Sequence, residues 1–109
     1  MKLSNAVANS LYIQSLRKAI RDLHGCDSTH VESVAVHEVF RGQSVWRGEV
    51  EVFDLSGHPK ASRCYAWGER KNPDDPGAEI ITVLELPPVD SPESAVKVGV
   101  SYQVKKAGK

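Results

Sequence analysis

The connection that follows the first predicted helix holds the residues best suited to bind a metal ion. His24, Cys26 and His30 are close in sequence, and imidazole and thiolate groups are good zinc ligands. A structural zinc site needs four ligands, usually supplied as two closely spaced pairs. This chain offers one loose cluster, which Cys64 or His58 would have to complete. We therefore expect no metal site, with His24 capping the helix, Cys26 buried and His30 solvated.

The acid–base candidates are His37 with its neighbour Glu38, and Asp54 with His58. A working general base needs an oriented partner and a concave site. Asp54 and His58 flank one predicted turn and could hydrogen-bond across it, although capping of the turn by Asp54 accounts for the same pattern. The glycines are too scattered to form a phosphate-binding loop. We expect no catalytic residue and no cofactor, and the sequence favours a protein that is not an enzyme.

A possible calcium site lies in residues 71–77, which two prolines and a glycine predict to be a long loop. Asp74 and Asp75 supply two adjacent carboxylates there. Without further oxygen ligands at regular spacing they are a weak calcium signal, so we expect a solvated loop.

Residues 45–68 predict a β-hairpin, because two alternating segments flank a turn with glycine and proline. A turn centred on Ser56 and Gly57 would place Trp46 opposite Trp67 and Gly48 opposite Tyr65. One face of the hairpin is then mostly apolar and aromatic, and the other mostly polar. The apolar face comprises Trp46, Val50, Val52, Ala61, Tyr65 and Trp67. The polar face comprises Arg47, Glu49, Glu51, Ser62 and Cys64.

The aromatic face is either the core of the domain or the lining of a ligand pocket. In a fold that wraps its sheet around a helix, Trp46, Arg63, Tyr65 and Trp67 would line a cone-shaped pocket that binds a small ligand or acts as an enzyme site. Aromatic residues on one sheet face are more often filled core. Arg63 fits a core poorly, since it must extend its charge to solvent, pair with a carboxylate or meet an anionic ligand.

The remaining elements follow from apolar periodicity. Residues 5–24 predict an amphipathic helix that ends at Gly25, and residues 31–40 alternate as a strand. We expect a three-residue loop around Gly42 that sets Val36 beside Gly48. A two-residue loop would shift that register.

Residues 79–86 predict a fourth strand that is apolar on both faces. Strands of that kind are usually covered on both sides, and in so short a chain a second copy could supply one cover. Val39, Val45 and Phe53 are also expected to point away from the helices. This excess of apolar surface predicts a homodimer.

The C-terminal segment has conflicting signals. Ser91, Pro92 and Glu93 form a helix start, whereas the valines over residues 95–104 alternate as in a strand. We predict a helix, followed by a frayed tail that contains Lys105, Lys106 and Lys109.

These elements predict one α+β domain over residues 1–109. We expect a two-layer sandwich, in which an N-terminal and a C-terminal helix cover one face of a four-stranded antiparallel sheet. The order of elements is similar to that of double-stranded-RNA-binding domains, but such domains need many basic residues.

Composition restricts the function. The 109 residues carry a formal net charge of zero, so no long-range attraction to nucleic acid or to an anionic membrane is built in. No apolar run reaches the membrane-spanning length of about 20 residues, and we expect no signal peptide. The two cysteines, Cys26 and Cys64, fit free thiols in the cytosol. We predict a cytoplasmic, non-enzymatic domain that acts through self-association or protein–protein interaction.

Overall fold

One helix, four strands and a second helix follow each other along the chain, and the computed structural model describes residues 5–69 and 79–107. The elements are α1 (Asn5–His24), β1 (Asp27–Phe40), β2 (Gln43–Ser56), β3 (Arg63–Glu69), β4 (Glu79–Leu84) and α2 (Pro92–Ala107). The strands form one antiparallel sheet in the order β1-β2-β3-β4. The predicted α+β class and the four-stranded sheet are confirmed. The predicted loop over residues 71–77, with Asp74 and Asp75, lies outside the described residues.

The two helices pack against opposite faces of the sheet, and the placement of both helices on one face was wrong. Successive strand residues point to opposite faces, and the two cores follow that alternation. The core beneath α2 contains Val36, Val50, Val52, Tyr65, Trp67, Ala95 and Val96. The core beneath α1 contains Leu16, Ile20, Cys26, Phe53, Cys64 and Ala66. The small side chains of Cys64 and Ala66 leave room for α1 on the face that was expected to be polar, and Phe53 is fully buried there.

The turn between β1 and β2 has two residues, Arg41 and Gly42, with φ of 53° and 78°. Positive φ at both positions is typical of a type I′ hairpin turn. The predicted register is confirmed, since Val36 pairs with Gly48. The predicted three-residue loop is wrong. The turn is one residue shorter, and the register is kept because β2 has one additional residue, Val45, which lies unpaired in a bulge next to the turn.

The register between β2 and β3 differs from the predicted one. Tyr65 pairs with Val52 rather than Gly48, because the connection is longer than a tight turn. The ring of His58 organises it, since Nδ1 accepts the backbone N–H groups of Lys60 and Ala61 at 3.0 and 2.9 Å. Local side-chain acceptors of this kind stabilise a wider loop that strand alternation does not reveal.

Trp46 and Trp67 still meet, through a different geometry. Their rings pack edge to face with centroids 5.5 Å apart. The Trp46 ring lies over Gly48 of its own strand, where a Cβ atom would come 3.1 Å from Cη2. The glycine therefore makes room for Trp46 rather than for Tyr65, which was predicted to lie opposite it.

The helix predicted at the C-terminus is confirmed, and its start is capped as expected. Ser91 Oγ accepts the backbone N–H of Ser94 at 3.2 Å, and Ser94 Oγ accepts that of Ser91 at 3.0 Å. Pro92 occupies the first helical position. The helix extends to Ala107, so residues 105–107 of the expected tail are helical.

Both helices contact β4. Ile81 and Val83 pack on the core beneath α2, whereas Ile80 and Leu84 pack on the core beneath α1. The two helices of one chain therefore cover both faces of β4, so these faces do not require a second copy of the protein. The homodimer stays a prediction that needs support from another surface.

Candidate functional site

The free edge of β4 is the most unusual surface of the described residues. β4 pairs with β3 on one side, and no described strand pairs with its other side. The β3–β4 register is regular from Glu79 to Leu84. Proteins usually protect such edges with lysine, proline, inward charges or a bulge, and β4 has none of these between Glu79 and Leu84.

The other edge strand, β1, is protected in two of these ways. Its register shifts between His30 and Glu32, which leaves Val31 as a bulge. Charged side chains, including Glu32 and Glu38, follow along the strand. The two edges therefore differ, and only that of β4 is regular and apolar.

An open groove of about 600 Å³ runs along the β4 edge. Leu23 and His24 at the end of α1 form one wall, Val98 and Gly99 of α2 form the other, and β4 lies between them. Leu23 is 64% exposed and Val98 is 42% exposed. Large apolar side chains that stay exposed on both sides of a free strand edge are typical of an interaction surface.

A hydrogen bond between α1 and β4 fixes one wall of the groove. His24 Nε2 lies 2.8 Å from Thr82 Oγ1. Burial of the imidazole lowers the pKa of His24 below its usual value, and His58 lowers it further through charge repulsion. The expectation that His24 only caps its helix missed this contact, because Thr82 is distant in sequence.

Acidic residues flank β4, and of the two only Glu79 lines the groove. Glu79 is exposed at the start of β4, and Glu85 follows the end of the strand. Glu85 accepts a hydrogen bond from the Tyr65 hydroxyl. Burial of Tyr65, together with this bond to Glu85, raises the pKa of the phenol well above its usual range, so the hydroxyl stays a donor.

The residues predicted to line a small-ligand pocket are placed as follows. Tyr65 and Trp67 are 1% and 2% exposed within the core beneath α2, and Trp46 is half-buried against Trp67. Arg63 is the first residue of β3, where its Nη2 is 3.2 Å from a carboxylate oxygen of Asp54. Of the three environments predicted for the Arg63 charge, the structure shows pairing with a carboxylate. The pocket itself stays a prediction.

The acid–base candidates do not come together. Asp54 binds Arg63, His58 accepts backbone N–H groups in its own loop, and His37 Nε2 lies 2.9 Å from Ser44 Oγ. Glu38 is 4.0 Å from Lys97 of α2. His37 is within hydrogen-bond reach of the Ser44 hydroxyl, but both residues are exposed, and the other three candidates each have a separate structural partner.

Sequence reasoning missed a buried carboxylate on the α1 face. The side chain of Glu51 is 3% exposed, and its Oε1 is 2.8 Å from His30 Nε2. The same oxygen accepts the hydroxyl of Ser33. Because Ser33 and His30 both bind the carboxyl group of Glu51 rather than each other, the arrangement satisfies a buried polar group and forms no serine–histidine relay. Alternation suggested only that Glu51 is polar, without showing that neighbouring side chains would cover it.

The metal candidates are also separated. His24 binds Thr82, His30 binds Glu51, and Cys26 lies in the core beneath α1. Within residues 5–69 and 79–107, no three His, Cys, Asp or Glu side chains are grouped so as to hold a metal ion. Cys26 and Cys64 are both free and buried.

Comparison with known proteins identifies no relative. No protein-family model, curated protein or solved structure matches this chain. Neither described helix has the combination of length and apolar character needed to cross a membrane.

Proposed function

We propose that this protein is a non-enzymatic interaction domain that binds an extended segment of another protein along the free edge of β4. The observation that carries the proposal is the edge itself, which is regular, apolar and unpaired by any described strand, in a groove of about 600 Å³. An added strand gains main-chain hydrogen bonds from such an edge and specificity from the flanking side chains.

The backbone groups available at this edge follow from one hydrogen bond. The Glu85 N–H donates to the Arg63 carbonyl at 2.9 Å, so these residues form a hydrogen-bonded pair of the antiparallel ladder. Such pairs alternate along a ladder. The N–H groups of Ile80, Thr82 and Leu84 therefore point away from β3, toward the position of an added strand.

A synthetic peptide and a pair of matched variants test this proposal. The probe is a capped seven-residue peptide of alternating valine and threonine, titrated against the ¹⁵N-labelled protein. We expect chemical-shift changes at β4, Leu23 and Val98. Thr82→Lys places a protecting lysine on the edge and should weaken binding at least tenfold. The control Thr29→Lys, on the opposite edge strand, should bind like the wild type.

Failure of the peptide to shift these resonances at millimolar concentration would contradict the proposal, provided that circular dichroism shows a folded protein. Equal weakening by Thr82→Lys and Thr29→Lys would also contradict it, because the effect would then not depend on β4.

The predicted homodimer is the special case in which the added strand is β4 of a second copy. The formal net charge of zero supports this case, since a neutral protein repels its own copies weakly. Light scattering at micromolar concentration would then give a dimer for the wild type and a monomer for Thr82→Lys. A clean wild-type monomer would count against the homodimer and leave the edge free for another protein.

The proposal keeps the cytosol as the compartment, and the free thiols of Cys26 and Cys64 support it.

A further inference from the structure

The two ends of β4 carry acidic side chains on the same face of the sheet. Glu79 and Glu85 are six positions apart, an even number, so they alternate with Ile80, Thr82 and Leu84 and share a face with Ile81 and Val83. That face is the one covered by α2, since Ile81 and Val83 pack on its core. An added strand would therefore meet both carboxylates on one of its own faces.

These carboxylates have no compensating cation among the described residues. Glu79 pairs in register with another acidic residue, Glu69, and neither Glu79 nor Glu85 forms an ion pair with a described side chain. The charge of Arg63 reaches Glu85, but Arg63 is hydrogen-bonded to Asp54. The carboxylates that flank β4, Glu79 before Ile80 and Glu85 after Leu84, are therefore suited to meet basic side chains.

The same charges disfavour a second copy that pairs along the full length of β4. Antiparallel pairing of two β4 strands about a two-fold axis at Thr82 would place Glu79 of each copy opposite Glu85 of the other. Like charges directly opposite each other in a sheet are destabilising. A strand from a different protein, with the opposite charge pattern, avoids this repulsion.

We infer that the segment bound along β4 has basic residues at its first and seventh positions and apolar residues between them. This inference rests on the proposed function. The first and seventh residues of the bound segment lie opposite Glu79 and Glu85, because those two glutamates are six positions apart. This holds whichever direction the segment runs. Its inner residues lie opposite the apolar side chains of β4 and between Leu23 and Val98.

Three capped peptides with the same alternating valine–threonine interior test the inference. The first has lysine at positions 1 and 7, the second has glutamine there, and the third has glutamate there. A fourth peptide keeps the composition of the first but moves its lysines to positions 2 and 6, which places them on the opposite face of the strand. Dissociation constants are measured by NMR titration at low salt and at physiological salt.

We expect the peptide with lysine at positions 1 and 7 to bind roughly fivefold tighter than the glutamine peptide, on the scale of two exposed ion pairs. The glutamate peptide should bind more weakly than the glutamine peptide. The difference in affinity between the lysine and glutamine peptides should decrease as salt is added. Glu79→Gln should remove part of this difference. The peptide with lysines at positions 2 and 6 should lose the advantage despite its equal charge.

Equal binding of the lysine and glutamine peptides would overturn the inference and leave the proposed function in place, since the edge would still accept a strand. Dimerisation that Thr82→Lys abolishes would overturn it as well, because a second copy would then occupy the edge. Binding of none of the peptides would overturn both the inference and the proposed function.

Discussion

Gly99 of α2 lies against the indole ring of Trp67, so closely that a Cβ atom at position 99 would come 2.8 Å from the ring carbon Cζ2. The ring belongs to the core beneath α2 and is 2% exposed, so it has little room to move aside. Glycine in the middle of a helix normally costs stability. Here it permits the close approach of α2 to the sheet.

Gly99→Ala should therefore destabilise the protein, although helix propensity alone would favour alanine by about 1 kcal/mol. Overpacking a filled core costs about 1–3 kcal/mol, which exceeds that gain. Urea unfolding followed by tryptophan fluorescence measures the difference. Lys97→Ala, an exposed change on the same helix, should alter stability by no more than about 0.5 kcal/mol. A Gly99→Ala variant more stable than the wild type would show that the ring and the helix can separate freely.

Glu51→Ala should reduce the free energy of unfolding by about 1–3 kcal/mol, because it leaves the half-buried His30 without its acceptor and also removes the acceptor of the exposed Ser33. Glu49→Ala is the matched control, since Glu49 is an exposed glutamate on the same strand and face. It should cost no more than about 0.5 kcal/mol. Chemical denaturation of both variants tests this, and equal effects would mean that burial of Glu51 contributes nothing.

The stability of the protein should fall as the pH is lowered from neutral through about 6.5, partly because of His24. An unfolded histidine takes up a proton near pH 6.5, whereas burial lowers the pKa of folded His24. Between the two pKa values the unfolded state binds more protons, so stability increases with pH in that window. His24→Gln should flatten this part of the profile. Parallel profiles for the variant and the wild type between pH 5 and pH 7 would contradict the assignment.

Neither cysteine should react with iodoacetamide at pH 8 while the protein is folded. Burial raises the pKa of the Cys64 thiol to about 12, and Cys26 is 6% exposed. The thiolate is the reactive form, and neither sulfur is readily accessible. Mass spectrometry should show no label on the native protein, full labelling in urea, and rapid labelling of an exposed Ser56→Cys control. Fast native labelling of Cys64 would contradict its burial.

Local sequence patterns were sufficient to predict several parts of the fold. The spacing of Leu16 and Ile20 predicted α1, and Ser91 with Pro92 predicted the start of α2 against the competing valine alternation. The register of Val36 opposite Gly48 was also correct, because only that pairing places valines rather than His37 beside the aromatics. Each of these signals depends on residues that are close in sequence or share one hairpin.

The candidate site was only partly predictable. The sequence showed that β4 is apolar on both faces, but not that α1 and α2 would cover those faces and leave the edge open between Leu23 and Val98. It marked Trp46, Arg63, Tyr65 and Trp67 as the residues of interest, and two of these are core residues.

The sequence by itself determined the element types, the antiparallel hairpins and the side chains that share a face of each strand, because alternation and capping are local properties of the backbone. Only the tertiary structure decided which helix covers which face, that Glu51 is buried, and that Tyr65 pairs with Val52. These outcomes depend on the space left by Cys64 and Ala66 and on a loop held by His58. The contacts of Cys64 and Ala66 with α1 join residues far apart in the chain, and the local hydrogen bonds of His58 are not visible in strand alternation.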